Sequence, residues 1–414
     1  MLRRQETAAS AERSGPTPGR ARTIAVFTGT RAEYGLLKNV MRAVMARRDC
    51  RLRVMASAAH LSRAHGMSLD EIVRDGIPVH DAIPILDGAD SPLAVCAAMG
   101  DGLKRYGEAL NGARPDVLVL LGDRYETFAM AAAATACGVP LAHIHGGETT
   151  EGAFDEAFRH SITKMSHLHF TSCEKHRERV IQLGEDPARV WNAGSLGVEN
   201  ALSRKQPPEE EVRALLRLGP EQLYIVCTFH PATLEDADPE RQCRVLLEAL
   251  EVFSDYALVF TGANADPGGA AINATLAEYA DKNSKRCRFF MSLGSRDYLA
   301  AVRYAACVCG NSSSGIIEAP SLGVPVVDVG SRQKGRERAD STLHCDVEPE
   351  AIRSAVARAL TEEQKRLAET TANPYSTAGT AGFIAETLAR HPLEHILKKH
   401  FYDLDLISAF RRSG

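Results

Sequence analysis

The sequence predicts an α/β protein made of two Rossmann-like, doubly wound domains facing a central cleft. Short apolar strands alternate with helical patterns along almost the whole chain, as in parallel sheets wound by helices. Val117 to Leu121 (VLVLL) is a continuous apolar run, the mark of a strand covered on both faces. A polar, proline-bearing stretch, SRKQPPEEE, interrupts the pattern from Ser203 to Glu211, after which it restarts.

Residues 1–21 lack the apolar core of a signal peptide and are expected to be a disordered tail. In the first domain, 22–202, strands are predicted from Thr23 to Thr28, Leu52 to Ala56, Pro78 to Ile83, Val117 to Leu121, Leu141 to Ile144, Leu168 to Thr171 and Val190 to Ala193. Leu36, Leu37, Val40, Met41 and Val44 recur at helical spacing, which predicts a helix from Glu33 to Met45. Ser91-Pro92 predicts a helix start, with Ser as cap and Pro in the first turn. In the second domain, 203–376, strands are predicted from Tyr224 to Thr228, Tyr256 to Thr261, Arg288 to Met291, Cys307 to Gly310 and Val324 to Val329. A helical segment, 377–414, follows.

A chain of 414 residues suffices for two cores. Its 44% apolar and 25% charged content is ordinary for a soluble globular protein. The net charge of -4 argues against a nucleic-acid partner, and no apolar run approaches the ~20 residues of a membrane span. The ten cysteines form no CxxC pair and read as reduced thiols in a cytoplasm. Cys307 and Cys309 share one face of a predicted strand and read as core packing.

Open α/β sheets bind ligands beyond the carboxyl ends of their strands, and the ionisable residues cluster there. The densest cluster is HIHGGETTEGAFDEAFRHSITKMSHLHF, His143 to Phe170. Earlier, Gly29-Thr30-Arg31 either turns backbone amides and Arg31 towards an anion or is an ordinary turn with a surface Arg. It is no GxGxxG motif, so a dinucleotide is not indicated. Asp123 is either a helix cap or a catalytic carboxylate held ionised by its neighbour Arg124. His143 and His145 invite a metal, but no third ligand follows at convincing spacing, so none is expected. His167 and His169 repeat that spacing and read as half-buried strand residues. Asp155 and Glu156 open a predicted helix on which Arg159 can pair with either one. In the second domain, His230 follows a predicted strand at the presumed cleft. Asn311 to Glu318 (NSSSGIIE) offers an amide nest for a diphosphate, with Glu318 placed to accept from ribose hydroxyls.

GTRAEYGLL, GDRYE, the stretch from His143 to Phe170, TFHPATLE and GNSSSGIIEAPSLGVPVVDVGSRQKGRE occur in that order. Together they resemble the hydrolysing UDP-N-acetylglucosamine 2-epimerases of sialic-acid and legionaminic-acid synthesis. The resemblance implies a GT-B-like pairing of the two domains, with a C-terminal helix such as Thr380 to Arg390 crossing back to the first. It implies proton abstraction at C2, anti elimination of UDP to leave 2-acetamidoglucal, and hydration to N-acetylmannosamine, without metal or nicotinamide cofactor. By motif position it assigns catalysis to Asp123 and to Asp155 or Glu156. It assigns UDP contacts to Arg31, His230, Ser312, Ser313, Ser314, Gly315, Glu318 and Arg332. Many relatives carry Glu where this chain has His145, so an acid–base role falls here to His145 or Glu148. A second branch acts on UDP-2,4-diacetamido-2,4,6-trideoxyglucose, and the motifs, which address UDP, C1 and C2, do not separate the two substrates. A non-hydrolysing epimerase is a third possibility, which HIHGGE and RHSITK disfavour. A UDP-sugar glycosyltransferase of the same architecture is the alternative from another class, and it needs no exchange at C2. Relatives are commonly homodimers or homotetramers.

Overall fold

The computed structural model describes residues 20–62, 67–85, 91–149, 155–203, 207–232, 238–263 and 268–404. Nearly all of the expected N-terminal tail lies outside these residues, as do 204–206 of the polar junction and 150–154 of the glycine-rich loop.

The first sheet contains β1 (Arg22–Thr28), β2 (Cys50–Ser57), β3 (Val79–Ile83), β4 (Val117–Leu121), β5 (Leu141–Ile144), β6 (Leu168–Thr171) and β7 (Val190–Asn192). Its order is β3-β2-β1-β4-β5-β6-β7, with every pair parallel. The second contains β8 (Tyr224–Thr228), β9 (Ala257–Thr261), β10 (Cys287–Phe290), β11 (Cys307–Gly310), β12 (Val326–Val329) and β13 (Thr342–Cys345). Its order, β10-β9-β8-β11-β12-β13, is the same winding, again all parallel. In each sheet the strand order reverses at one point, between β1 and β4 and between β8 and β11. A crevice opens there beyond the carboxyl ends.

Helices cover both faces of each sheet, which is why the central strands are apolar throughout. Ile24, Val26, Val119 and Leu121 enter one core, while Ala25, Phe27, Leu118 and Leu120 enter the core on the opposite face. The second sheet divides likewise, Ile225 and Cys227 to one side and Tyr224 and Val226 to the other. Cys307 and Cys309 are fully buried in the former cluster.

Several element ends shift by one or two residues, as where β2 starts at Cys50 and β10 spans Cys287–Phe290, and two revisions have a physical reason. β12 starts at Val326 rather than Val324, because Pro325 contributes only its carbonyl, which accepts from Val308 N. β13 was not foreseen: it is a four-residue edge strand, TLHC, with one buried side chain, too short and too polar to stand out.

The helix Thr380–Arg390 packs on the first domain, with Ile384 and Leu388 inside its core. Arg22 Nη1 donates to the carbonyl oxygens of Leu388 at 2.7 Å and His391 at 2.8 Å. The end of the chain therefore supports β1, the strand that leads to the first crevice. Leu388→Ala should cost about 2–5 kcal/mol, the range for an emptied core leucine. The measurement is the urea transition of the full chain, and an unchanged midpoint would contradict this packing.

Candidate active site

The first crevice gathers groups from four segments. Asp123 follows β4, His145 and Glu148 follow β5, Arg159 lies on the helix Asp155–Met165, and Ser172 follows β6. Asp123 is not a helix cap. Arg124 occupies that position with extended backbone, and the Asp123 carboxylate accepts from Arg159 Nη2. Arg124 pairs with Glu126 at 2.7 Å, so the cation holding Asp123 is Arg159 rather than its chain neighbour. Arg159 likewise reaches out of its own helix, and its Nη1 donates to the His145 carbonyl oxygen at 3.3 Å. Burial opposes its charge, but Asp123, Glu148, Glu156 and Asp155 outweigh burial and raise its pKa. Asp123 and Glu148 thus lie at one guanidinium, and the charges of Asp155 and of Glu156, which also lies 3.1 Å from His160, act on it as well.

His143 and His145 do not act as a pair. β5 ends at Ile144, and His145 has a φ of 63°, in the left-handed region. His143 sits between the Gly122 carbonyl oxygen, 2.8 Å from Nε2, and the Thr163 hydroxyl, 3.1 Å from Nδ1. Burial pushes it down to about 3. Among the described residues, no three His, Cys, Asp or Glu side chains are grouped to hold a metal ion. His167 and His169 are buried rather than half-buried, the latter 3.0 Å from Glu185.

The glycine pair does not leave Glu148 loosely held. A Cβ on Gly147 would lie 2.4 Å from the His176 carbonyl oxygen, and one on Gly146 would lie 2.9 Å from His143 Nδ1. Glu148 is buried, its Oε1 accepting from Ser172 Oγ at 2.7 Å and lying 3.5 Å from His145 Nδ1. Arg159 Nη1 and Arg336 Nη2 stand 3.9 Å and 3.7 Å from its Oε2. Burial disfavours the carboxylate, but His145, Arg336 and Arg159 together hold it well below the usual range. Burial also pushes His145 below its ordinary value, assisted by Arg159 and Arg336 and opposed by Glu148 and Asp123. His145 Nε2 is buried without a hydrogen-bond partner among the described residues.

The amides of Gly29 and Thr30 are not turned towards a ligand. They donate to Glu33 at 2.7 Å and 3.2 Å, in a capping box that starts the helix Arg31–Met45. Burial and the neighbouring Glu126 push Glu33 up to about 8. Arg31 pairs with Glu71 at 2.8 Å and lies near Gly294 of the second domain.

At the second crevice, Gly310 has a φ of 141° and runs so close to β8 that a Cβ would lie 2.1 Å from the Thr228 carbonyl oxygen. Asn311 then ties the crevice together. Its side chain accepts from His230 N at 2.7 Å and donates to His230 O at 2.8 Å. Its own carbonyl oxygen accepts from Arg332 Nη1 at 3.1 Å and Gln333 Nε2 at 2.8 Å. Burial, then Arg332, push the His230 imidazole down to about 3. Ser312 caps the helix Ser313–Ile317 by accepting from Ser314 N, and Gly315 packs on Val326. Burial raises Glu318 to about 7, against Ser314 and Arg336. Glu318 presses on the first domain, where a Cβ on Gly197 would lie 2.1 Å from its Oε1.

Sequence reasoning missed Ser172 and Arg336, and it placed Asn311 in the amide nest without its role as a clamp on His230. Asn311 had a local signal, as the first residue after a strand that ends in glycine. Arg336 had none beyond its place in GSRQKGRE, since its partner lies in the other domain.

Among known proteins, the family model described as UDP-N-acetylglucosamine 2-epimerase matches residues 42–389. The chain is 38% identical over 331 residues to the GDP/UDP-N,N'-diacetylbacillosamine 2-epimerase (hydrolyzing) of Campylobacter jejuni, covering 79% of this chain and 85% of that protein. It is 38% identical over 354 residues to the polysialic acid biosynthesis protein P7 of Escherichia coli, covering 85% of this chain and 90% of that one. The crystal structure of UDP-GlcNAc 2-epimerase from Neisseria meningitidis, bound to UDP-GlcNAc, shares the fold at a TM-score of 0.76 and 18% identity. That likeness covers 89% of this chain and 100% of that one.

Burial pushes His143 to about 3 and His167 and His176 to about 4, from an ordinary value of 6.5. Between those values the unfolded chain binds more protons than the folded one. The stability these neutral histidines confer is therefore full above pH 6.5 and is lost as pH falls towards 4. The Tm should fall across that window, and a Tm flat from pH 6.5 to 4 would contradict their burial as neutral groups.

Proposed function

The chain belongs to the UDP-N-acetylglucosamine 2-epimerase family, as a hydrolysing 2-epimerase acting on UDP-sugars, and from that premise we propose its substrate and the division of labour in its site. The substrate is a UDP-linked 2-acetamido sugar. The Campylobacter relative favours the 2,4-diacetamido-2,4,6-trideoxy sugar, N,N'-diacetylbacillosamine. The family's own description favours UDP-N-acetylglucosamine, converted to N-acetylmannosamine, as the second reading.

One observation carries the assignment: His145 has a carboxylate beside one ring nitrogen and, among the described residues, no hydrogen-bond partner on the other. Glu148 beside Nδ1 favours the proton there, which leaves the Nε2 lone pair as the base. Because His145 titrates below its ordinary value, the ring is neutral and ready to accept at neutral pH. The C2 proton passes to Nε2, the C2–H electrons form the C1=C2 bond, and the C1–O bond breaks with the electron pair leaving on UDP. Water then adds its oxygen to C1 while a proton returns to C2 on the opposite face. Asp123, oriented by Arg159, is the second carboxylate at the reacting carbons, with Asp155 and Glu156 bordering the same guanidinium. The diphosphate lies on the Ser312 to Gly315 loop between His230 and Arg332, with Glu318 accepting from the ribose and Arg31 closing over it from the first domain.

Incubation of either UDP-sugar in D₂O should release UDP together with a free 2-acetamido sugar that carries deuterium at C2 and inverted stereochemistry there. Release of UDP without deuterium at C2 would point to a glycosyltransferase or a simple hydrolase and sink the proposal. The rates on the two sugars decide between the substrates.

His145→Gln should lower turnover roughly 10²–10⁴-fold, the usual cost of a lost general base, and remove a limb of the pH profile. Glu148→Gln should weaken turnover while that limb persists, because the base itself remains. A full loss at Glu148 with little at His145 would transfer the role to the carboxylate.

A further inference from the structure

Arg336 belongs to the second domain, on the segment between β12 and β13, yet its guanidinium lies 3.7 Å from Glu148 of the first. Its side chain is 11% exposed. It also acts on Glu318, beside the proposed nucleotide loop. One guanidinium thus acts on both the carboxylate next to His145 and the carboxylate assigned to the ribose. The segment is anchored on either side of the cleft. Glu337 pairs with Lys175 of the first domain, and its carbonyl oxygen accepts from the Tyr375 hydroxyl at 3.1 Å.

We propose that Arg336 is a positioning residue: from the second domain it brings its charge to Glu148, which fixes that carboxylate beside His145 Nδ1 and keeps Nε2 as the proton acceptor. The proposal deepens the hydrolysing-epimerase reading and rests on it.

The physical case begins with the burial of Glu148. A buried carboxylate is tolerable only when paired and hydrogen-bonded. Ser172 supplies a hydrogen bond, and the first domain's own cation, Arg159, is shared with Asp123 and the His145 carbonyl oxygen. The remaining positive charge at Oε2 comes from across the cleft. That contribution exists only while the two domains lie against each other, so the domain contact and the state of the acid–base pair are coupled. The charged and titratable groups facing His145 are Glu148, Arg159, Arg336 and Asp123. Those facing Glu148 are His145, Arg336, Arg159 and His176, and Cys173, Glu318 and Tyr375 also feel its charge. Of these arginines, Arg336 is the one from the second domain.

The test compares Arg336→Met and Arg336→Lys with the wild type, all as full chains. The titration of His145 is followed by NMR on histidine-labelled protein without nucleotide, its resonance assigned with His145→Gln. Removing a cation beside the imidazole favours its protonated form, so the midpoint should rise in Arg336→Met. Arg336→Lys, which keeps a cation, should stay near the wild type, and that recovery separates loss of charge from disturbed folding. In turnover, Arg336→Met should lower kcat roughly 10²-fold, as for a misplaced reacting group, while UDP affinity measured by calorimetry changes far less. A His145 midpoint that does not move overturns the proposal. So does a kcat that survives while UDP affinity collapses, since Arg336 would then be a nucleotide contact. The titration needs no substrate, so failure of the epimerase reading appears separately, as absence of C2 deuterium in the wild type.

Discussion

The guanidinium of Arg159 is buried inside the first domain, where an unpaired charge would cost several kcal/mol. It is neutralised by Asp123 from the end of β4 and Glu148 from the loop after β5, and it also bonds the backbone of His145 between them. Three segments that are distant in sequence are thereby held to one another at the carboxyl end of the sheet. The position of His145 follows from that requirement. Its left-handed backbone turns the ring out of the strand ladder and towards Glu148. The close packing of Gly146 and Gly147 then leaves Glu148 little room to move.

The second domain repeats the winding of the first but not its chemistry. Its crevice is organised by an amide, Asn311, which clamps the His230 backbone and receives Arg332 and Gln333 on its own carbonyl oxygen. The loop that follows is built of small residues, and the nearby imidazole is neutral. One half of the molecule is thus equipped with proton-carrying groups and the other with neutral donors and cations suited to an anion. They meet where Glu318 presses on Gly197 and where Arg336 reaches Glu148.

Much of the fold was legible because parallel strands buried on both faces must be apolar throughout, and such runs stand out against amphipathic helices. Legibility failed at the edge, where β13 needs only one buried side chain. It failed again where sequence neighbours were taken as partners. Arg124 is adjacent to Asp123, yet the bond goes to Arg159, 36 residues away. The start of the helix after β1 carries a T-x-x-E pattern that signals a capping box, and that box, not an anion, uses the Gly29 and Thr30 amides.

The sequence by itself determined two doubly wound domains, their family, and the segments that meet at each crevice, because periodicity and local motifs are properties of the chain. It named Asp123, His145, Glu148, Asp155 and Glu156 as a cluster without saying how they are joined. Only the tertiary structure decided which charges face each other, that His143 is committed to the core while His145 keeps a ring nitrogen without a partner among the described residues, and that a second-domain arginine reaches a first-domain carboxylate. Those outcomes depend on burial and on distances between residues far apart along the chain. Neither is written in spacing, and both follow from how two sheets close over one cleft.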